Sequence, residues 1–329
     1  MESSCDETAV AIVRGEAGAR TEVLASEISS QIDLHRVYGG VVPELASRNH
    51  SLRLQALVEK ALDEAGVAMA DIDAFAATSG PGLASSLLIG NTAAKGMACA
   101  SGKPFLGINH LEGHLLSPFI ERTSVPPHLA LIVSGGHTLL IDVQGAGRYT
   151  RLGGTRDDAA GEAFDKVGKM LELPYPGGPE IEKVARGGNC QAYDFPRSML
   201  NDPHLDFSFS GLKTAVLYTL QREQGDVSIP DLAASFQQAV IEILVGKTLR
   251  AAKQSGHRLI ALSGGVSLNQ ALRQAFADAC QRAGLELLVS PPSFCTDNAA
   301  MIAFAALLRH LNGESSRLDQ DIHPNLALV

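Results

Sequence analysis

His110 and His114 lie four residues apart in the segment Asn109-His-Leu-Glu-Gly-His114. On a helix that spacing puts both imidazoles on one face, about one turn from each other. Neutral ring nitrogens are ligands for zinc, iron and related ions, so the pair could hold a metal. The same spacing occurs on ordinary helix surfaces, and alone it leaves both readings open. A zinc-protease reading loses its catalytic group. Those sites carry a glutamate directly after the first histidine. Here Glu112 comes two residues after His110, roughly 200° around a helix. It faces away from the imidazoles and is poorly placed as their general base.

Four glycine-rich turns supply a second kind of chemistry. They are Thr78-Ser-Gly-Pro-Gly82, Val133-Ser-Gly-Gly-His137, Tyr175-Pro-Gly-Gly-Pro179 and Leu262-Ser-Gly-Gly-Val-Ser-Leu-Asn269. Two of them are Ser-Gly-Gly directly after an apolar run. Glycine lets backbone approach a ligand closely, and successive free N–H groups form an anion nest. A following helix N-terminus adds positive potential. Together the turns point to a nucleotide site. Two common nucleotide motifs are excluded. Gly246-Lys-Thr248 resembles the end of a P-loop, but the earlier glycine position holds Ile241 and the segment lies inside a helical pattern. Gly80-Pro-Gly82 resembles a dinucleotide fingerprint, but the third glycine position holds Ser85 and no acid follows at the required distance.

The elements that must carry these residues alternate along the chain. Strand patterns cover 9–13 and 22–29. A helical pattern runs over 44–65, with Leu54, Leu57, Val58, Ala61 and Leu62 on one face. Strand 74–78, helix 83–100 and strand 104–108 lead into the histidine helix. Then the pattern restarts. Strands 129–133, 138–143 and 149–152 are followed by a helix over 157–171. Segment 172–210 is rich in Pro and Gly and reads as irregular. Leu232, Phe236, Val240, Leu244 and Leu249 mark a long helix. Strand 258–262, helix 268–283, strand 285–289 and helix 297–311 complete the body, and the tail from Gly313 reads as loosely held. Both halves open on antiparallel strands and continue in alternation. That is an α/β architecture and suggests a duplicated domain with a cleft between the copies.

Composition limits the function classes. The 329 residues suffice for two domains with cores of their own. A net charge of −9 argues against a broad nonspecific nucleic-acid footprint. It leaves room for a local basic patch among Arg148, Arg151, Arg156, Lys166, Lys169, Lys183, Arg186 and Arg197, though scattered solvated charge explains these residues more simply. The five cysteines are scattered with no Cys-x-x-Cys pair, as expected of free thiols in a reducing cytosol. The first residues do not read as a signal peptide, and no apolar run approaches the length of a membrane span.

Eight motifs in order carry a resemblance. They are Ser4-Cys-Asp-Glu-Thr8, Tyr38-Gly-Gly-Val-Val-Pro-Glu44, Asn109-His-Leu-Glu-Gly-His114, Val133-Ser-Gly-Gly-His137, Gly161-Glu-Ala-Phe-Asp-Lys166, Phe207-Ser-Phe-Ser-Gly-Leu-Lys213, Ser263-Gly-Gly-Val-x-x-Asn269 and Cys295-Thr-Asp-Asn298. Over nearly its whole length the chain resembles the tRNA N6-adenosine threonylcarbamoyltransferases, the TsaD/Gcp family once described as O-sialoglycoprotein endopeptidases. The resemblance implies the actin/Hsp70/sugar-kinase fold, with two RNase H-like domains and a nucleotide in the cleft. It implies an N-terminal lobe over 1–115 completed by the helix at about 297–311. A second lobe spans 116–296, with an irregular or helical insertion at about 172–230, and 312–329 is a tail. Family members carry a strand before the Glu-x-Ser-Cys-Asp-Glu motif. Here the sequence begins at Met1-Glu2, so either that strand is short or the start site is misassigned.

The implied reaction moves the threonylcarbamoyl group of threonylcarbamoyl-AMP to N6 of adenosine 37 in tRNAs reading A-starting codons. AMP is released. Carried over by motif, His110, His114 and Asp297 bind one metal ion, Fe2+ first and Zn2+ second. Asp297 alone would read as a helix cap; beside the histidine pair it reads as a ligand. Asn109 and Glu112 are then supporting or structural. Val133, Ser134, Gly135, Gly136 and His137 hold the phosphate and acyl portion. Asp165 and Gly178 meet the ribose, and Asn269 the adenine. Asp6 and Glu7 take a catalytic or phosphate-side role. The implied partners are tRNA, a paralogous subunit (TsaB) and an ATPase (TsaE), with no membrane and a cytoplasmic location. A sugar-kinase-like ATPase of the same fold and a noncatalytic scaffold paralogue are the rival readings.

Overall fold

The structure is a computed structural model that describes residues 1–223 and 227–329. The chain divides into two compact units. Unit 1 holds Met1–Val125, Gly145–Gly147 and Thr296–Val329; unit 2 holds Pro126–Gln144 and Arg148–Cys295.

Unit 1 opens with β1 (Glu7–Arg14) and β2 (Glu22–Ser30), paired antiparallel. Short α1 (Ile32–Arg36) leads to α2 (Pro43–Ala65), which has proline at its first position, where no N–H is needed, and left-handed Gly66 at its end. The buried stripe Ala46, His50, Leu54 and Ala61 lays α2 on β1 and β2. β3 (Phe75–Gly80), α3 (Ala84–Ser101) and β4 (Phe105–Asn109) form a parallel unit, with β3 and β4 paired from Phe75–Phe105 to Thr78–Ile108 and a register shift before Gly80–Asn109. Helix α4 (His110–Leu116) follows without a linker.

Met1 and Glu2 complete this layer. Glu2 exchanges both backbone hydrogen bonds with Ala9 of β1, at 3.0 and 2.9 Å. The Met1 amine donates to the Ala76 carbonyl at 2.8 Å, and Thr78 N–H donates to the Met1 carbonyl at 3.2 Å. The first two residues therefore bridge β1 and β3. Burial lowers the pKa of the Met1 amine to about 6.

Unit 2 is built on a five-stranded sheet of order β7-β6-β5-β8-β9. β5 (His128–Val133) and β6 (Thr138–Gly145) form an antiparallel hairpin, continued by β7 (Arg148–Gly154). α5 (Ala160–Met170), α6 (Gly177–Ala185), α7 (Ser210–Glu223) and α8 (Ile229–Ser255) precede β8 (Leu259–Ser263), which lies parallel to β5. α9 (Gln270–Ala283) and β9 (Glu286–Val289), parallel to β8, end the unit. Every residue of β5 is buried, as befits a central strand flanked on both sides. Leu129, Leu131 and Val133 share a core with Phe164, Phe236 and Phe276 from α5, α8 and α9. The chain then returns to unit 1 as α10 (Ala299–Leu311), which packs on α4 and β1. Among the described residues no helix is long and apolar enough to cross a membrane.

Two sequence expectations change. Segment 172–210 is not wholly irregular, because α6 lies inside it, with Ile181 and Ala185 buried one turn apart. Pro174 and Pro176 stand before the helix and Pro179 in its first turn, where a missing N–H costs nothing. Residues 224–226 of the expected insertion lie outside the described residues. The tail is not loose. Ser316 N–H donates to Phe105 O at 2.7 Å, His323 N–H to Ser79 O at 2.7 Å, and Gly82 N–H to Pro324 O at 3.0 Å. Backbone pairing pins it, which residue types alone do not reveal. Gly246-Lys-Thr248 lies within α8, where fully buried Lys247 donates to His204 O at 2.8 Å, so it is structural.

Candidate metal centre and anion-binding turns

β4 sets the candidate metal centre by ending in Asn109. Its side-chain oxygen accepts from Leu111 N–H at 2.9 Å and caps α4. The cap fixes His110 at the first helical position and His114 one turn on. All seven residues of α4 are buried. Gly113 lets α10 come close: a Cβ there would lie 2.8 Å from Ile302 Cδ1. α10 in turn brings Asp297. The cap of α10 is Asn298, whose side-chain oxygen accepts from Met301 N–H at 2.9 Å. Asp297 is thereby released from the capping role and turned toward the imidazoles. Its Oδ1 lies 3.0 Å from His114 Nε2 and 3.5 Å from His110 Nε2.

These distances fit a shared cation. Ligand atoms held about 2.0–2.1 Å from a tetrahedral metal lie roughly 3.3 Å apart. One ligand atom from each of the three residues lies within 4.8 Å of the other two. The imidazole planes are perpendicular, with ring centroids 4.7 Å apart. Two rings competing for one carboxylate oxygen are poorly satisfied by it alone, and His114 Nδ1 is a buried polar atom with no hydrogen-bond partner among the described residues. A donor set of two imidazoles and one carboxylate leaves open positions and suits iron or zinc.

Glu2 orients His110, a role that sequence reasoning missed. Its carboxylate is fully buried and sits 3.0 Å from His110 Nδ1. It also accepts from Ser4 N–H at 2.5 Å and from the Thr78 hydroxyl at 2.6 Å. With Nδ1–H donated to Glu2, the lone pair of His110 stays on Nε2, the atom aimed at Asp297. Burial opposes charge on His110, but Asp297 and Glu2 outweigh it and raise its pKa to about 9, so an ion at Nε2 would have to displace a proton to gain that lone pair. The signal available was the glutamate two residues ahead of Ser4 in a motif otherwise read from Ser4 onward. Glu112 faces the other way, as its helical angle requires, and is paired with Arg309 at 2.6 Å.

Asp6 and Glu7 stand at the entry to β1 in the same unit. Burial, then the nearby charges of Asp297 and Asp6, raise the pKa of the Glu7 carboxyl to about 9, and Glu7 and Asp6 share a hydrogen bond. Three carboxyl groups thus crowd one place, and each disfavours charge on the others. Cys5 beside them is half-buried and carboxylate-flanked, and desolvation with the nearby carboxylates pushes its thiol pKa upward.

In unit 2 the two Ser-Gly-Gly turns lie at the ends of neighbouring strands β5 and β8. Gly264, at φ +90°, passes so close to the Val133 carbonyl that no side chain fits between them. Ser134 to His137 is the hairpin loop joining β5 to β6, not a strand-to-helix turn. Ser134 N–H donates to His137 O at 2.8 Å, and Ser134 Oγ accepts from His137 N–H at 3.2 Å. The helix end that meets this loop is α5, whose Gly161 N–H donates to Ser134 O at 3.2 Å. Gly135 and Gly136 are exposed, and a Cβ on either would meet nothing within 4 Å. Thr78-Ser-Gly-Pro-Gly82 is different: the chain itself fills it, since a Cβ on Gly82 would lie 2.6 Å from Ser4 O.

Asp165 sits half-buried in α5 and accepts from Gly177 N–H at 2.8 Å, tying α5 to the start of α6, where Gly178 follows. Asn269 caps α9. Its Oδ1 accepts from Leu272 N–H at 2.9 Å and its Nδ2 donates to Gln237 Oε1 at 2.7 Å. Five of the eight candidate basic residues are paired: Arg156 with Asp206, Lys166 with Asp158 and Glu162, Lys183 with Glu180, Arg186 with Glu182 and Arg197 with Glu242.

The sequence pattern of the family described as TsaD, tRNA N6-adenosine threonylcarbamoyltransferase, matches residues 22–304. The chain belongs to this family. A tRNA N6-adenosine threonylcarbamoyltransferase of Syntrophotalea carbinolica is 48% identical over 331 residues, covering 100% of this chain and 96% of the relative. One from Desulfitobacterium hafniense is 49% identical with the same coverage. This protein is accordingly a transferase. Among solved structures, HypF of T. kodakarensis superposes with a TM-score of 0.62 at 14% identity, covering 80% of this chain and 44% of that one. Component A of the Acidaminococcus fermentans (R)-2-hydroxyglutaryl-CoA dehydratase superposes at 0.51 and 16% identity, covering 94% of each. Likeness at that identity speaks for the fold alone, an α/β fold shared with these two proteins.

Proposed function

We infer that this transferase moves the threonylcarbamoyl group of threonylcarbamoyl-AMP to N6 of adenosine 37 in tRNAs reading A-starting codons. The product is t6A, and AMP leaves. The convergence of His110, His114 and Asp297 in a chain of this family carries the reading. The donor is a mixed anhydride, so AMP is a good leaving group. Adenine N6 is a poor nucleophile, because its lone pair is delocalised into the ring. Catalysis must therefore position N6 and stabilise developing charge.

The chain's own residues divide this work. Val133 to His137 offers backbone N–H groups at an open loop for the phosphate and acyl portion. Asp165 and Gly178 are assigned to the ribose, and Asn269 to the adenine of the adenylate. N6 attacks the carbamoyl carbon. The new C–N bond forms as the C–O bond to phosphate breaks, and AMP departs with the electron pair. The N6 proton passes to the Asp6–Glu7 pair. His110, His114 and Asp297 would hold one ion, Fe2+ first because two histidines and a carboxylate with open positions suit it, and Zn2+ second. When bound, that ion supplies Lewis-acid and templating chemistry at the phosphate.

A net charge of −9 and a partly neutralised basic patch support weak tRNA binding by the lone chain. A paralogous subunit (TsaB) and an ATPase (TsaE) are the proposed partners. The cytoplasm, where tRNA is, is the proposed location. The test is a transfer assay with the purified chain, synthetic threonylcarbamoyl-adenylate and tRNA, read by mass spectrometry of the nucleosides. Appearance of t6A with one equivalent of AMP is expected. ATP turnover on a small substrate without t6A would instead favour a kinase-like enzyme.

A further inference from the structure

His50 is the one fully buried histidine of α2, and neither the metal centre nor the anion-binding turns use it. Its two nitrogens reach the chain on either side of the acidic pair. Nε2 lies 3.0 Å from the Cys5 carbonyl, one residue before Asp6. Nδ1 lies 2.7 Å from the Thr8 hydroxyl, one residue after Glu7. A carbonyl can only accept, so Nε2 carries the hydrogen and Nδ1 is the acceptor for Thr8. Gln31 adds to the same clamp. Its amide nitrogen lies 3.2 Å from His50 Nδ1 and donates to Ala46 O at 3.3 Å, and its backbone N–H donates to Asp6 O at 3.0 Å.

The four residues Cys5 to Thr8 are therefore gripped at three points by groups with almost no solvent access, for Thr8 and His50 are fully buried and Gln31 is 2% exposed. A buried polar network of this kind fixes one backbone conformation, because breaking it strands donors and acceptors away from water. Burial holds the His50 pKa below its ordinary value, which keeps the ring neutral and the tautomer single.

We propose that His50 is a positioning residue that fixes the aim of the Asp6–Glu7 pair from both sides, through Cys5 O and Thr8 Oγ1. The inference rests on the catalytic reading of that pair. Asn places its polar atoms where Nδ1 stands and Gln where Nε2 stands, so His50→Asn keeps the Thr8 contact and His50→Gln keeps the Cys5 contact. His50→Leu removes both.

The experiment measures kcat, KM for the adenylate and metal content of the holoenzyme for His50→Leu, His50→Gln and His50→Asn. Each is made in the natural background and in Asp6→Asn/Glu7→Gln. A misaimed catalytic group costs about 10²-fold. His50→Leu is expected to lower kcat by about that factor, with KM and metal content unchanged, and His50→Gln and His50→Asn recover part of it. In the acidic-pair background the same changes are expected to cost nothing further, since the groups His50 aims are already gone. Losses that multiply in the combined variants would overturn the inference, as would full kcat in His50→Leu. Should His50→Leu not fold, His50→Gln and His50→Asn carry the same cycle. Full activity in Asp6→Asn/Glu7→Gln by itself would remove the reading of the pair, and the inference with it.

Discussion

In unit 1 the chemistry lies on side chains that hold one another. His110, His114 and Asp297 converge within 4.8 Å, and a fully buried Glu2 backs them. In unit 2 it lies on backbone: a Cβ on Gly135 or Gly136 would meet nothing within 4 Å. The polar side chains assigned beside that loop are already engaged, Asp165 with α6 and Asn269 as a helix cap. A metal centre needs ligands aimed in advance, because a misplaced imidazole cannot be rescued by the ion. An anion site needs room and unshielded N–H groups. The two regions should therefore respond to mutation in opposite ways.

The largest contrast is expected at His110. His110→Ala should abolish metal retention and transfer together, with metal counted by elemental analysis and t6A by mass spectrometry. A metal-free variant with full transfer would break the unit 1 half of the comparison. Glu2→Gln, which keeps the shape and removes the charge, should weaken metal binding about 10- to 100-fold while the fold persists. Competition against a chelator measures it, and unchanged affinity would remove Glu2 from the centre.

Unit 2 should show its effects in adenylate binding. Asn269→Ala should cost about 1 kcal/mol of stability through the lost cap and weaken adenylate binding. Asn269→Asp keeps the cap acceptor but loses the donor, so calorimetric titration of the adenylate against both variants separates the two roles. Equal affinity in all three proteins would confine Asn269 to capping. Gly135→Ala should leave stability within about 0.5 kcal/mol, as open space allows, yet lower adenylate affinity. Gly161→Ala should destabilise by about 1–3 kcal/mol, since its Cβ would lie 2.6 Å from Ser134 O. Thermal melts and titrations of the pair test whether room, not rigidity, is what that loop supplies.

The smallest effect is acid lability in unit 2. Asp157 is opposed by burial but accepts from Ser208, Ser210 and two backbone N–H groups, which hold its pKa below the ordinary carboxylate value. A carboxyl depressed in the folded state adds stability above its unfolded pKa of about 3.9, and that stability is lost as pH falls through the lower folded value. Melting temperature should therefore drop below about pH 4 in the natural chain and drop less over that window in Asp157→Asn. Parallel curves for the two proteins would exclude Asp157 as a contributor.

The unequal legibility of the two regions in the sequence has the same physical origin. A histidine pair at helical spacing is read directly, because α4 preserves sequence spacing as geometry. Asp297 lies 183 residues from His114 and was reached only through motif order. The choice of Asn298 over Asp297 as the cap of α10 could not be read at all, since both residues cap well. The alternating elements were legible because the hydrophobic period is local. The tail and α6 were not: backbone hydrogen bonds such as His323 N–H to Ser79 O leave no mark on residue type. Glu2 and His50 escaped notice because a buried polar residue is recognised by its partners, which come together only in the fold.

The most direct test is X-ray absorption at the metal edge of the purified holoprotein, paired with the transfer assay on the same sample. One ion per chain with two imidazole nitrogens and a carboxylate oxygen, lost together with t6A formation in His110→Ala/His114→Ala, is the predicted result. Full t6A formation by that double variant with no ion bound would contradict it.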